Sequence, residues 1–186
     1  MKRTWLIPAG FLLLASAAQA RPSFSIQGML GFNGEADSDK ATKTDPLTSD
    51  FGLMGTVEFP ISREFRLGGR LAYEGASGDD SNTDFSMLDG GLWARFVFLP
   101  GRFEAFAAGG LGLSSITADP DAGTKLDGTG YHFLLGAGAS FPVSRQMRVI
   151  GGLYYANHLG DLEGDNNAEV KGFTLSRILF TGGVMF

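Results

Sequence analysis

His132 and His158 are the only two histidines in the chain, and cysteine is absent. Covalent hydrolysis needs a nucleophile, a base to take its proton and an acid to orient that base. A compact His-x-Ser pairing fails at both histidines, because Leu134 and Gly160 occupy the serine positions. His158 keeps a loop serine or Glu163 within reach, but a lone histidine at a strand end is ordinarily a hydrogen-bonding residue. His132 lies on a face of small residues and is read as a partner of Glu104 or Asp89 rather than a base. Asp161, Glu163 and Asp165 open like a calcium loop but lack its glycine and its terminal glutamate. No glycine loop followed by lysine is present to cradle a phosphate. The residue types therefore supply no catalytic, cofactor-binding or metal set, and the chain is read as non-enzymatic.

Whatever these residues do, strands must position them, because the dominant sequence period is two. Phe51, Leu53, Gly55, Val57 and Phe59 alternate with Gly52, Met54, Thr56 and Glu58. The same pattern runs from Phe65 to Glu74 and from Tyr131 to Phe141, which marks strands with two unlike faces. Eight strands are expected, over about 23–34, 50–59, 65–75, 85–98, 103–116, 131–141, 147–156 and 172–186. Each is close to or above the roughly 9–11 residues that a tilted strand needs to cross a bilayer. The 28 glycines lie largely on these strands, where they relieve crowding in a narrow barrel.

Lys2 and Arg3, the apolar run from Trp5 to Ala17 and the small-x-small Ala18-Gln19-Ala20 form a secretion address. Residues 1–20 are expected to be a cleaved signal peptide and residues 21–186 the barrel domain. Loss of Lys2 and Arg3 takes the formal charge from −5 to −7.

The connections alternate in kind. Pro60–Glu64, Leu99–Arg102 and Pro142–Gln146 are short, whereas Glu35–Ser49, Ser77–Asp84, Thr117–Gly130 and Asn157–Lys171 are long and polar. That alternation predicts an all-β, eight-stranded antiparallel up-and-down transmembrane β-barrel, with short periplasmic turns and long extracellular loops. Phe59-Pro60-Ile61-Ser62-Arg63 recurs as Phe141-Pro142-Val143-Ser144-Arg145, read as two turns meeting one geometric demand.

A soluble eight-stranded carrier also alternates, but with its apolar face inward. Here aromatics gather at strand ends on the apolar face: Phe51, Phe59, Phe65, Tyr73, Phe98, Phe103, Tyr131, Phe141 and Tyr155. Two girdles flanking a hydrocarbon band have this layout. The opposite face carries Arg66, Arg70, Arg95, Arg148 and Arg177 against Glu58, Glu74, Asp89 and Glu104. Eight strands leave an interior only wide enough for side chains, so these charges are expected to pair. Met29, Met54, Met87, Trp93, Phe106, Leu134, Ile150 and Tyr154 point inward too. They are expected to pack around the charge layers, with a carrier for small hydrophobic molecules as the alternative use of that wall.

Phe180, Gly182, Val184 and Phe186 share one face of the last strand. With this pattern the chain resembles the small eight-stranded outer-membrane barrels of the OmpA and OmpX type, in the outer membrane β-barrel domain family. The resemblance implies the outer membrane of a Gram-negative bacterium. It also implies that Phe180, Gly182, Val184 and Phe186 are the signal read by the barrel-assembly machinery. Some barrels of that membrane modify lipid A or phospholipids, so that chemistry is the enzymatic alternative, although their deacylases' His-x-Ser pair is missing here.

With Asp50 counted as a loop edge, the long loops hold fifteen of the twenty acids, and all four lysines past residue 20. An acidic rim argues against nucleic acid as a partner. It faces lipopolysaccharide phosphates of like sign, which divalent cations can bridge to carboxylates. Asp79, Asp80, Asp84, Asp161, Glu163 and Asp165 are the candidate residues for contact with lipopolysaccharide or an external surface partner. The barrel is expected to be a monomer with no cofactor.

Overall fold

The computed structural model describes residues 21–37, 45–78, 83–120, 125–164 and 169–186. The expected signal segment 1–20 lies outside the described residues, as do Asp79, Asp80 and Asp165. Eight strands follow one another: β1 (Ser23–Asp37), β2 (Asp45–Pro60), β3 (Phe65–Gly78), β4 (Thr83–Leu99), β5 (Glu104–Pro120), β6 (Leu126–Pro142), β7 (Arg148–Gly164) and β8 (Glu169–Met185). Each pairs antiparallel with its neighbour in sequence, and β1 also pairs with β8, so the sheet closes into an up-and-down barrel. At the seam Phe24 and Phe186 exchange backbone hydrogen bonds of 3.1 and 2.8 Å. Closure leaves no free sheet edge, which is the condition for a β-structure to sit in hydrocarbon.

The first and third periplasmic turns close on their own backbone and on a serine side chain each. In the first, Ile61 N donates to Phe65 O at 2.9 Å; in the third, Val143 N donates to Met147 O at 3.0 Å. Ser62 Oγ accepts from Phe65 N, and Ser144 Oγ accepts from Gln146 N. The repeated Phe-Pro-x-Ser-Arg segment is thus one turn geometry used twice.

At the outer end the strands run further than the alternation indicated. Much of the expected loop sequence belongs to them, including Lys171, which lies inside β8 rather than in a loop. The reason is an inversion along each strand. In the middle of the barrel the outward positions are apolar and exposed, as at Phe51, Leu53, Leu92, Leu111 and Leu135. Above the girdle the inward positions become apolar and the outward ones polar. Ala76, Phe85, Ile116, Leu162, Phe173 and Leu175 form a buried inner cluster there, in which Phe85 and Phe173 stack at 5.6 Å. Outside it, Asp84, Asp119, Asp127, Asp161 and Glu163 face solvent. The wall therefore continues above the bilayer on an apolar core of its own.

Local irregularities make this possible. Asn33 takes a positive φ of 51° where the β1–β8 register shifts. Gly172 does so at 60°, and its N–H donates to Asp161 Oδ1 at 2.8 Å. Gly91 and Gly112 face each other across β4 and β5. A Cβ on either would come within 2.6 Å of the other's Cα, so only glycine lets these strands approach.

Candidate functional site

The lumen is layered from the outer end to the periplasm. Below the Phe85–Phe173 cluster lies a charged layer to which seven strands, β2 to β8, contribute. Arg177 on β8 reaches Asp50 Oδ2 on β2 at 3.1 Å through Nη1, and it also bonds Glu74 Oε2 on β3. Arg70 donates to Glu74 Oε1 at 2.8 Å and lies 3.7 Å from Asp89 Oδ2 on β4. Asp89 also accepts from Ser114 Oγ at 2.6 Å and meets His158 Nε2 at 2.9 Å. Arg70 Nη1 sits 3.0 Å from His132 Nε2. A guanidinium only donates, so that nitrogen accepts, and His132 Nδ1 carries the proton it offers to Leu113 O at 3.2 Å. Arg70 and Glu74 share β3, but every other pairing joins different strands, so the layer braces the barrel across its axis.

Beneath it, Met54, Leu134, Tyr154 and Leu179 form an apolar layer. Next comes Glu58, whose Oε1 accepts from Trp93 Nε1 at 2.7 Å and from Arg95 Nη2 at 2.5 Å. Arg95 in turn lies 4.5 Å above the Phe106 ring, a fully buried cation–π contact. At the periplasmic mouth Arg66 and Arg148 approach Glu104 at 3.2 and 3.6 Å.

All nine charged residues expected inside are therefore in the lumen, but in three groups and not one network. Two further members escaped the sequence reading. Asp50, at a loop edge by the sequence pattern, is buried on Arg177, and His158, expected at a strand end, is 1% exposed. Parity would have found both: Asp50 shares its face with Met54 and Glu58, and His158 shares its face with Tyr154. With Asp50 included, the lumen's five arginines meet five carboxylates. Glu104, a suggested partner of His132, instead serves the mouth.

Ser114, Asp89 and His158 have the residue types of a hydrolytic triad in a different connectivity. Both the hydroxyl and the imidazole bond Asp89, so no base is aimed at Ser114. Glu74, Asp89 and His158 also bring ligand atoms within 4.8 Å of one another, which is metal-like spacing. Arg70 and Arg177 already neutralise these carboxylates. A cation there would have to displace a guanidinium.

The outer wall carries the second candidate region. Asp84, Asp161 and Glu163 are exposed on strand exteriors, and Asp119 and Asp127 join them. The register sets Asp84 directly opposite Asp119 and Asp127 opposite Glu163. Ser77 Oγ donates to Asp84 at 2.7 Å and Thr117 Oγ1 to Asp127 at 2.6 Å, which fixes their orientation. Like charges facing each other across a ladder are destabilising. On β8, Phe180 and the chain-end Phe186 are 54% and 57% exposed, on the same outward face as Gly182 and Val184.

A closed wall, apolar outside and packed with paired charges inside, defines a small integral membrane β-barrel. The sequence matches the outer membrane protein beta-barrel domain over residues 6–176. The chain belongs to that family and resides in the outer membrane of a Gram-negative bacterium. No curated protein sequence matches it. Among solved structures it is similar to Neisserial surface protein A, at 14% identity over 88% of this chain and 95% of that one, TM-score 0.59. OprG of Pseudomonas aeruginosa matches at 15% identity over 89% and 95%, TM-score 0.53. Ail of Yersinia pestis, an attachment invasion locus protein, matches at 13% over 90% and 99%, TM-score 0.52. At such identities the likeness is one of fold.

Proposed function

We propose that this protein is a non-enzymatic, monomeric barrel of the envelope that holds a belt of carboxylates at the outer surface. The observation that carries the reading is the outward row Asp84, Asp119, Asp127, Asp161 and Glu163 on a rigid wall, in which Asp84–Asp119 and Asp127–Glu163 are like-charged cross-strand pairs. Divalent cations relieve that repulsion by joining the carboxylates to lipopolysaccharide phosphates, since both are hard oxygen ligands. The filled lumen supports a role outside the barrel rather than transport through it, and the connectivity around Asp89 supports the absence of hydrolysis. The last strand, ending on Phe186, is the segment offered to the barrel-assembly machinery.

The test is a variant carrying Asp84→Asn, Asp119→Asn, Asp127→Asn and Glu163→Gln, folded in neutral micelles containing lipopolysaccharide. In the parent protein millimolar calcium should raise the melting temperature by several degrees; in the variant the rise should vanish while heat-modifiable gel migration stays intact. Equal calcium responses in both would refute the belt as the site of contact. Mass spectrometry of lipid A from cells with and without the gene should give one acyl profile. An altered profile would reinstate the enzymatic reading.

A further inference from the structure

We propose that the periplasmic mouth of the barrel binds a phosphate-bearing anion. A cavity of about 690 Å³ opens there, lined by Arg21, Arg66, Arg145 and Arg148, with Glu104 as its one acidic side chain. That volume lies in the range of small-ligand sites. Arg66 and Arg148, from β3 and β7, approach Glu104 Oε1 at 3.2 Å and Oε2 at 3.6 Å, so two guanidiniums already flank one carboxylate. One carboxylate is not enough for both. Arg66 turns Nη1 toward Met185 Sδ at 4.0 Å, a weak acceptor, and Arg148 fills out its contacts with the carbonyls of Arg102 and Ser140. Arg21 and Arg145 have no ion pair among the described residues.

The cavity therefore holds more positive charge than it neutralises, in a concave mouth whose low-dielectric walls focus the field. The outer charged layer sets two arginines against three carboxylates, so it is at the mouth that positive charge is in excess. Guanidinium forks match phosphate oxygens bidentately. The donors also sit on different walls: two strands, the third turn and the segment before β1. A tetrahedral anion with three or more acceptor oxygens satisfies such a spread better than a planar carboxylate. Free phosphate in the periplasm and the headgroup of an inner-leaflet phospholipid present the same chemistry.

The folded chain, in nonionic maltoside micelles at low ionic strength, is titrated calorimetrically with inorganic phosphate and, separately, with dihexanoyl phosphatidylglycerol. Sodium chloride at matched ionic strength is the control. Saturable binding is expected, weakened roughly tenfold by Arg145→Gln and by Arg148→Gln, the loss of one charge-assisted contact. Glu104→Gln should strengthen it about tenfold, because it frees Arg66 and Arg148 for the ligand. Arg145 lies exposed in a turn, so its variant keeps the test open if Arg148→Gln does not fold; unheated gel migration checks both. Binding of phosphate itself identifies a free anion as a ligand, and binding of the short-chain lipid alone, with the same dependence, identifies a headgroup. No saturable heat from either probe overturns the proposal, and so does binding that none of the three substitutions changes.

Discussion

Replacing Arg177 by Met isolates the contribution of lumen pairing. Arg177 is 1% exposed, lies on Asp50 at 3.1 Å and bonds Glu74 as well. Glu74 would keep Arg70 at 2.8 Å, but Asp50 would lose its guanidinium and stay buried. Methionine approximates the stem's volume, so the substitution removes charge more than packing. Stranding one partner of a buried pair costs about 3–5 kcal/mol. With a urea slope of roughly 2 kcal/mol/M, the unfolding midpoint should fall by about 2 M. Trp93 is the one tryptophan past residue 20 and is fully buried on Glu58, so its fluorescence reports unfolding in lipid vesicles. The pairing account also requires Asp50→Asn to restore most of the loss in Arg177→Met, because a neutral amide tolerates the site far better than a lone carboxylate. A midpoint shift worth less than about 0.5 kcal/mol refutes the account, as does a double variant no more stable than the single one.

Gly112→Ala should destabilise by about 1–3 kcal/mol, since its methyl group meets the Gly91 backbone and the strands must part; urea unfolding checks it, and an unchanged midpoint would mean the wall yields freely. His158→Ala should leave lipid A acylation unchanged yet cost about 1–3 kcal/mol, because it takes a hydrogen bond from buried Asp89. Loss of acyl-chain processing in that variant would show the imidazole to be a base. Deleting Phe186 should abolish insertion in cells while leaving refolding into micelles intact apart from the Phe24 hydrogen bonds. Normal surface expression of the truncated chain would dismiss the assembly role.

The strands were legible in the membrane band because there the face period and the solvent agree. Phe51, Leu53 and Val57 must meet lipid, and alternation at two residues says which side does. Above the girdle the solvent changes from lipid to water, and the same alternation reverses sign. Asp84, Thr117 and Glu163 then read as loop although each belongs to a strand whose inward neighbours are Phe85, Ile116 and Leu162. The nine interior charges were legible as a face but not as pairs. Whether Arg177 meets Asp50 depends on the register at closure, where Met29 opposes both Gly52 and Thr181, and no local pattern encodes that. The acidic residues were visible as composition. Their arrangement into Asp84–Asp119 and Asp127–Glu163 neighbours arises only once four strands are laid side by side.

Asp84, Asp119, Asp127, Asp161 and Glu163 all belong to the hydrogen-bonded wall itself. Capture of a mobile loop forfeits about 1–2 kcal/mol of backbone entropy per residue that becomes ordered. A partner that grips Asp119 or Glu163 grips backbone that folding has already fixed, so that term is absent from the association. Selection on this surface would accordingly proceed by exchanging side chains at set lattice positions. Within these strands an added residue would slip the register and turn the inner cluster outward.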